Sequence, residues 1–122
     1  MAENTETMSN GPVDQIDPVL HAAARLKVVT QLYVLDAADA TFLVNRTGLT
    51  WGNLSTHLSK LEGAGYVSLN KGYQGKKPQT MIRLTNKGRR AFKQYREAMQ
   101  RLLEDTRRVD EPGKPMDQPS GS

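Results

Sequence analysis

The sequence predicts a mainly α-helical protein with one β-hairpin, an α+β fold built as a single domain. Apolar residues recur at helical spacing in four segments, and one pair of strand-like runs separates the third segment from the fourth. A length of 122 residues allows one modest core. Polar stretches flank the periodic part, so residues 1–16 and 108–122 are predicted to be disordered and residues 17–107 to form the domain.

Capping residues mark the first two helices. Asp17 followed by proline predicts the start of a first helix that runs to about Asp36 and carries two apolar faces. One face would pack in the core, and the other is available to a second subunit. Asp39 is predicted to cap a shorter second helix, which ends at Gly48 because glycine readily takes the left-handed conformation there.

The third helix follows after one residue. Thr50 can cap it by accepting a hydrogen bond from the backbone of Asn53, and its apolar stripe is Leu54, Leu58 and Leu61. It is predicted to end at residues 63–65. Two helices joined by a short turn that contains glycine have the plan of a helix-turn-helix.

A β-hairpin and a long helix complete the predicted order. Strand-like runs near residues 66–69 and 81–84 flank a loop from Gly72 to Pro78 that is rich in glycine and lysine. Thr85 is predicted to cap the final helix, which runs to about Arg107 with an apolar side that includes Phe92.

Positive charge is concentrated in the middle of the chain. Between Asn45 and Arg96 there are eleven basic residues and one acid, Glu62, whereas residues 1–44 carry a net charge of −4 and residues 97–122 one of −2. A basic block of this density attracts phosphate groups, because their neutralisation releases counterions. The alternative is a solvated surface that only maintains solubility.

Two stretches resemble a known family. Residues 50–67, TWGNLSTHLSKLEGAGYV, resemble the recognition helix of MarR- and ArsR-type winged helix-turn-helix regulators. Residues 76–80, KKPQT, and 84–92, LTNKGRRAF, resemble the basic wing tip and the start of the last helix in that family. The resemblance spans about residues 21–103. It implies a winged helix-turn-helix with a long C-terminal dimerisation helix, and a transcriptional regulator in a bacterial or archaeal cytoplasm, associated with the nucleoid.

The resemblance and the side chains together predict how duplex DNA is bound. Short polar residues at a helix start allow close approach to base edges in the major groove, so residues 50–64 would form the recognition helix and residues 71–80 the wing on the backbone or minor groove. The predicted DNA-binding residues are Thr50, Trp51, Gly52, Asn53, Ser55, Thr56, Ser59, Lys60, Lys71, Lys76, Lys77 and Arg83.

Several of these residues have a structural alternative. Asn53 could contact adenine or only support the helix cap, and Gly52 could allow close approach to DNA or only relax the first turn. Packing of Trp51 over the second helix is favoured over stacking beside DNA. The wing lysines could instead discourage edge-to-edge aggregation. His57 is as readily a hydrogen-bonded structural residue as a functional one.

The first helix and the long final helix carry more apolar surface than one small domain can bury, and this predicts a homodimer. Two-fold symmetry would place two recognition helices one DNA turn apart, so the operator would be an inverted repeat. A dimer bound to an operator usually excludes polymerase, which favours repression over activation. The predicted interface residues are Leu20, Ala24, Val28, Leu32, Tyr95, Met99, Leu102 and Leu103.

Other function classes lack the residues they need. With no cysteine and two histidines there is no metal cluster, no nucleophile–base pair and no cofactor site to propose, so an enzyme is not expected. Neither a signal peptide nor a membrane span is expected, because residues 1–15 are polar and acidic and no apolar run approaches the length of a span. A small-molecule effector is possible, but no residue identifies one. The alternative function is a winged helix that docks another protein and binds DNA only non-specifically; such modules usually lack the basic wing and the polar helix start.

Overall fold

The computed structural model describes residues 16–110, which form four helices and three strands. In chain order these are α1 (Ala23–Leu35), β1 (Ala37–Asp39), α2 (Ala40–Thr47), α3 (Trp51–Gly63), β2 (Val67–Gln74), β3 (Lys77–Leu84) and α4 (Asn86–Asp110). The predicted mainly helical class with a hairpin is confirmed. Residues 17–93 form one compact unit, and the remainder of α4 belongs to a second. The helix extends three residues beyond its predicted end. The predicted arm, apart from Ile16, and residues 111–122 lie outside the described residues.

The first helix begins later than predicted. The Asp17 carboxylate accepts hydrogen bonds from the backbone N–H groups of Val19 at 2.8 Å and Leu20 at 3.3 Å. These bonds stabilise a separate turn at residues 18–20, and α1 begins only at Ala23. The prediction that Asp17 caps the first helix was therefore wrong: its bonds are local to the turn, and the N-cap of α1 is Ala22, whose side chain makes no cap.

The caps of the next helices are confirmed. The Asp39 carboxylate accepts from the backbone N–H of Phe42 at 2.7 Å, and Gly48 ends α2 with a left-handed φ of 76°. The Thr50 hydroxyl accepts from the N–H of Asn53 at 3.0 Å and starts α3. A cap needs only residues within three positions of one another, so sequence spacing is enough to locate it.

The strands form an antiparallel sheet in the order β1-β3-β2. Strands β2 and β3 pair from Val67↔Leu84 out to Gln74↔Lys77, so the connecting turn contains only Gly75 and Lys76. The predicted loop over residues 72–78 was therefore wrong: most of it is strand, held by backbone hydrogen bonds that do not depend on apolar side chains. Gly75 takes the positive φ of 68° that this tight turn requires.

One core lies between the helices and the inner face of the sheet. The predicted stripe of α3 is confirmed, because Leu54, Leu58 and Leu61 are all buried. The fully buried side chains elsewhere in residues 17–93 are Leu20, Val28, Val29, Leu32, Leu43 and Ile82.

Asp36 connects the end of α1 to the sheet and to the start of α4. Its carboxylate pairs with Arg83 of β3 at 2.5 Å and with Arg89 of α4 at 3.1 Å. Its carbonyl accepts from the backbone N–H of Leu84, and the Arg89 guanidinium lies 4.9 Å from the ring of Tyr33. The three charges join elements that are distant in sequence.

Tyr66 forms a second long-range connection, through a short hydrogen bond from its hydroxyl to the Asp17 carboxylate. Burial, together with the hydrogen bond to Asp17 and the negative charge of Asp17, raises the pKa of Tyr66 to about 12. Because this pKa lies above the unfolded value of 10.0, the neutral phenol stabilises the fold below pH 10, and that contribution is lost as the pH rises toward 12.

We therefore expect the free energy of unfolding of the wild type to fall more steeply between pH 10 and 12 than that of Tyr66→Phe, measured by urea denaturation. Tyr73→Phe, on the exposed hairpin, is the control and should keep the wild-type slope. Equal slopes for the wild type and Tyr66→Phe would contradict this assignment.

Candidate nucleic-acid interface

The start of α3 presents polar side chains to solvent. Thr50, Asn53 and Thr56 are exposed, as predicted for residues that approach base edges. The Thr56 hydroxyl donates to the carbonyl of Gly52 at 3.1 Å, and only the backbone of Asn53 is used by the cap. Within the described part of the chain the Asn53 side-chain amide makes no hydrogen bond. It is therefore available to a ligand.

Gly52 has no structural requirement among the described residues. It lies in helical conformation, and a Cβ added to it would meet no atom of residues 16–110 within 4 Å. Glycine costs about 1 kcal/mol relative to alanine in a helix interior, and no neighbouring atom of this part of the chain explains that cost. Space is left open on the outside of the helix.

Helix α3 is held on α1 by a polar contact. The Arg25 guanidinium donates to the carbonyl of Val19 at 2.5 Å and lies 3.1 Å from Nδ1 of His57. His57 is thus a hydrogen-bonded residue that fixes the orientation of α3, one of the two roles considered for it. The buried stripe of α3 then leaves the opposite face outward.

A groove of about 660 Å³ separates α3 from the β2–β3 hairpin, and we call it the α3–wing groove. The hairpin runs back along α3, since Leu69 lies beside the middle of the helix and the distal strand residues lie near Trp51. The residues that line the groove are Ala40, Trp51, Leu54, Ser55, Leu58, Ser59, Glu62, Leu69, Lys71 and Thr80. Four of the predicted DNA-binding residues thus share one surface.

The hairpin directs its lysines in different ways. Lys71 pairs with Thr80, two residue pairs nearer the hairpin tip than the pair that contains buried Ile82. Residues two pairs apart lie on the same face of a sheet, so Lys71 faces α3. Lys76 lies in the turn at the tip. Lys77 lines a second recess of about 310 Å³ together with Trp51. All three lysines are exposed. Lys60 is also exposed, in the last turn of α3.

Trp51 is not packed in the core, so the favoured sequence interpretation was wrong. Its side chain is 56% exposed and lies between the start of α3 and the distal half of the hairpin, where it lines both recesses. It precedes Leu54 and Leu58 by three and seven residues and so continues their stripe at the start of α3, where the core no longer covers it. Its indole is therefore part of the candidate surface.

Arg83 lies away from that surface. It is at the base of the hairpin, six residue pairs from the tip pair Gln74↔Lys77, and on the face opposite to Lys71. Its guanidinium is paired with Asp36. We therefore assign Arg83 to the ion-pair network at Asp36 and leave it out of the DNA contacts proposed below.

The predicted dimer residues divide into two groups. Leu20, Val28 and Leu32 are fully buried within the single chain and Ala24 is partly buried, so the first three offer no surface to a second copy. Most of the surplus apolar face predicted for α1 is therefore used by the core itself, whereas Leu35 at its end is 47% exposed. In α4, Tyr95 is buried, Met99 and Leu102 are half-buried, and Leu103 is 53% exposed.

Two polar residues of the groove were not selected from the sequence. Glu62 shares a helical stripe with Trp51 and Ser55, because four residues separate Trp51 from Ser55 and seven separate Ser55 from Glu62, and that periodicity could have identified it. Thr80 required the register of the hairpin, which the sequence does not state.

Residues 16–110 contain no group of three or more histidine, cysteine, aspartate or glutamate side chains that could hold a metal ion. No helix in this part of the chain has the length and apolar character needed to cross a membrane.

Comparison with known families decides the identity of this arrangement. The sequence profile of the winged helix DNA-binding domain matches residues 24–103. The chain belongs to this family. The helix-turn-helix is thus α2 and α3, and the hairpin is the wing. The family consists of DNA-binding domains rather than enzymes, as the sequence predicted. An uncharacterized protein of Methanocaldococcus jannaschii is 39% identical over 77 residues, which cover 63% of this chain and 84% of that protein.

Solved structures share the fold. A transcriptional regulator homologue from Pyrococcus horikoshii OT3 superposes with a TM-score of 0.73 at 23% identity, over 78% of this chain and 96% of that one. The DNA-bound form of overoxidized AbfR superposes with a TM-score of 0.57 at 17% identity, over 80% of this chain and 77% of the other. A MarR-family regulator from Silicibacter pomeroyi gives 0.51 at 18% identity, over 76% and 64%. The winged helix fold of MarR-type regulators is thereby confirmed.

Proposed function

We propose that this protein is a sequence-specific regulator that binds duplex DNA as a homodimer at an inverted-repeat operator and represses transcription. In this proposal α3 lies in the major groove with Asn53 and its neighbours at base edges, and the wing lysines contact phosphates. Repression follows because a dimer on an operator excludes polymerase from overlapping DNA.

The observation that carries the proposal is the outward face of α3. It combines a free Asn53 amide, exposed hydroxyls and an unoccupied space at Gly52, and it is followed by three exposed lysines on the adjacent wing. A docking module that bound DNA only non-specifically would not need short polar side chains and open space at the helix start. The neighbour AbfR, which shares the fold, was solved bound to DNA.

Selection from a fragmented genomic library tests the proposal. Purified protein at about 150 mM salt should enrich duplexes that share an inverted repeat, with half-sites about 10 base pairs apart from centre to centre. Asn53→Ala should relax the preference at one position in each half-site at a cost of about 1–3 kcal/mol. Asn86→Ala, the same exchange at the exposed start of α4, should leave the motif unchanged. Absence of any enriched motif would refute sequence-specific binding.

The wing should contribute affinity without sequence preference. Replacing the two lysines at the wing tip, Lys76→Ala/Lys77→Ala, should reduce the slope of log K against log salt by about 1 to 2 per chain, since each phosphate contact contributes about 0.9. Base preference should not change. Lys27→Ala/Lys93→Ala removes the same charge from α1 and α4 and is the control. An altered motif in the wing variant, or an unchanged salt slope, would show that the tip does not simply bind phosphates.

The homodimer is proposed to use the distal part of α4. Leu103 and Val109 are exposed there, beside half-buried Met99 and Leu102. An apolar face of this kind is unfavourable in water, and a second copy related by a two-fold axis would cover it with the same residues. The selected DNA supplies the test, because a dimer requires paired half-sites and a monomer would enrich single ones.

Control by a small molecule stays a prediction. The neighbour NadR was solved in complex with 4-hydroxyphenylacetate, and it superposes with a TM-score of 0.57 at 20% identity. A thermal-shift screen against aromatic acids, followed by operator binding with each compound that shifts the transition, would test such control here. A screen without any shift would count against it.

A further inference from the structure

Glu62 is the only acidic residue between positions 45 and 96, a segment that contains eleven basic residues. The structure places it on the α3–wing groove. The other polar side chains of the groove are hydrogen-bond donors suited to phosphate: the hydroxyls of Ser55, Ser59 and Thr80 and the ammonium of Lys71. One carboxylate therefore faces the same space as a set of groups that attract anions.

The charge of Glu62 has no stabilising role within the described chain. No lysine or arginine nitrogen of residues 16–110 lies within ion-pair distance of its carboxylate, and the side chain is exposed. It also lies in the last turn of α3, where the helix dipole disfavours a negative charge. Only the backbone of Glu62 is used, when its carbonyl accepts from Gly65 at 2.9 Å.

The position of Glu62 along the groove indicates what the charge acts on. Trp51 and the wing tip lie at one end, beside the start of α3 that is proposed to reach base edges, whereas Glu62 and Leu69 lie toward the base of the hairpin. Recognition helices contact bases with their N-terminal residues, so the C-terminal end of α3 lies nearer the sugar-phosphate backbone. A carboxylate there repels phosphates.

We propose that Glu62 is a specificity-determining residue that weakens the binding of non-cognate duplex DNA. Its carboxylate repels the DNA backbone from the end of the α3–wing groove that lies at the base of the hairpin. The inference rests on the proposed DNA-binding function. Non-specific affinity comes from the basic residues and is the same for all sequences, so one repulsive charge lowers that background. The cognate duplex offsets the repulsion with base contacts at the other end of α3. The ratio of specific to non-specific affinity, which decides occupancy in a genome, increases as a result.

The test uses a duplex of random sequence and fluorescence anisotropy at about 100 mM salt, where non-specific binding is measurable. Glu62→Gln should raise the affinity for this duplex by a factor of about 2 to 5, as expected for one charge removed near the backbone in water. Glu62→Lys should raise it by the square of that factor. Glu97→Gln changes the net charge equally on an exposed position of α4 and should have no effect. Thermal unfolding should show all three variants folded, because the Glu62 carboxylate has no ion-pair partner to lose among residues 16–110.

Three results would overturn the inference. One is an unchanged affinity of Glu62→Gln for the random duplex. Another is an equal gain in Glu97→Gln, which would indicate a general charge effect. The last is weaker binding of Glu62→Gln to a selected duplex with a changed preference at one base pair, which would make Glu62 a base contact, since a carboxylate can accept from cytosine N4. The random duplex separates this inference from the proposed function, because its outcome does not depend on whether the protein prefers any sequence.

Discussion

Gly88→Ala is expected to destabilise the protein by about 3 kcal/mol or more, the upper end of what overpacking costs. A Cβ at this position would lie 2.2 Å from the carbonyl oxygen of Tyr66 and 2.9 Å from Cδ1 of Leu84. The Tyr66 carbonyl also accepts from the backbone N–H of Thr85 at 3.0 Å, so it is held in place. Neither the backbone at Tyr66 nor the first turn of α4, which contains Gly88, can move away without disrupting the junction between α3, the sheet and α4.

The measurement is thermal unfolding followed by circular dichroism. A loss of this size lowers the midpoint by on the order of 15 °C in a domain of this length. Gly63→Ala is the matched control, because a Cβ there would meet no atom within 4 Å and the helix should gain up to about 1 kcal/mol. A midpoint for Gly88→Ala within a few degrees of the wild type would show that the approach of α4 to Tyr66 is looser than described.

Gly52→Gln is expected to affect DNA binding and not stability. Its fold should be at least as stable as the wild type, and its affinity for the operator should fall by about tenfold or more, on the order of 1–3 kcal/mol. The chain leaves open space at this position, so glutamine should improve helix propensity. In the proposed complex that space is occupied by DNA, and a longer side chain would hold α3 away from the base edges.

Gly63→Gln provides the control for affinity, since it makes the same exchange at the other end of α3 in a site that is equally open. It should bind the operator as the wild type does. Anisotropy titration of one labelled operator duplex compares the three proteins directly. Tight binding by Gly52→Gln would mean that the start of α3 does not enter the groove.

Local chemistry made most of the fold predictable. The caps at Asp39, Thr50 and Thr85 and the helix end at Gly48 each depend on residues a few positions apart, and all four lie where the sequence placed them. The leucine stripe of α3 was predictable for the same reason, because helical periodicity is a property of the segment itself.

Long-range pairing accounts for what the sequence did not show. Strand β1 has three residues and no apolar period, and it exists because it pairs with β3 more than forty residues away. Arg83 was predicted to contact DNA because it lies in a basic segment, but the fold places Asp36 beside it and the two side chains form an ion pair. Trp51 was expected in the core as a large aromatic residue, yet it is 56% exposed at the outer end of the leucine stripe of α3, and how far the core extends along a helix depends on long-range packing.

The most direct test of the central claim is the ratio of affinities for a duplex selected from the genome and for its scrambled sequence, measured at about 150 mM salt. The surface built from the start of α3 and the wing predicts a ratio of about 10³ or more, reduced about tenfold or more in Asn53→Ala. A ratio near one, unchanged in Asn53→Ala, would mean that the basic segment only attracts phosphate and that α3 reads no sequence.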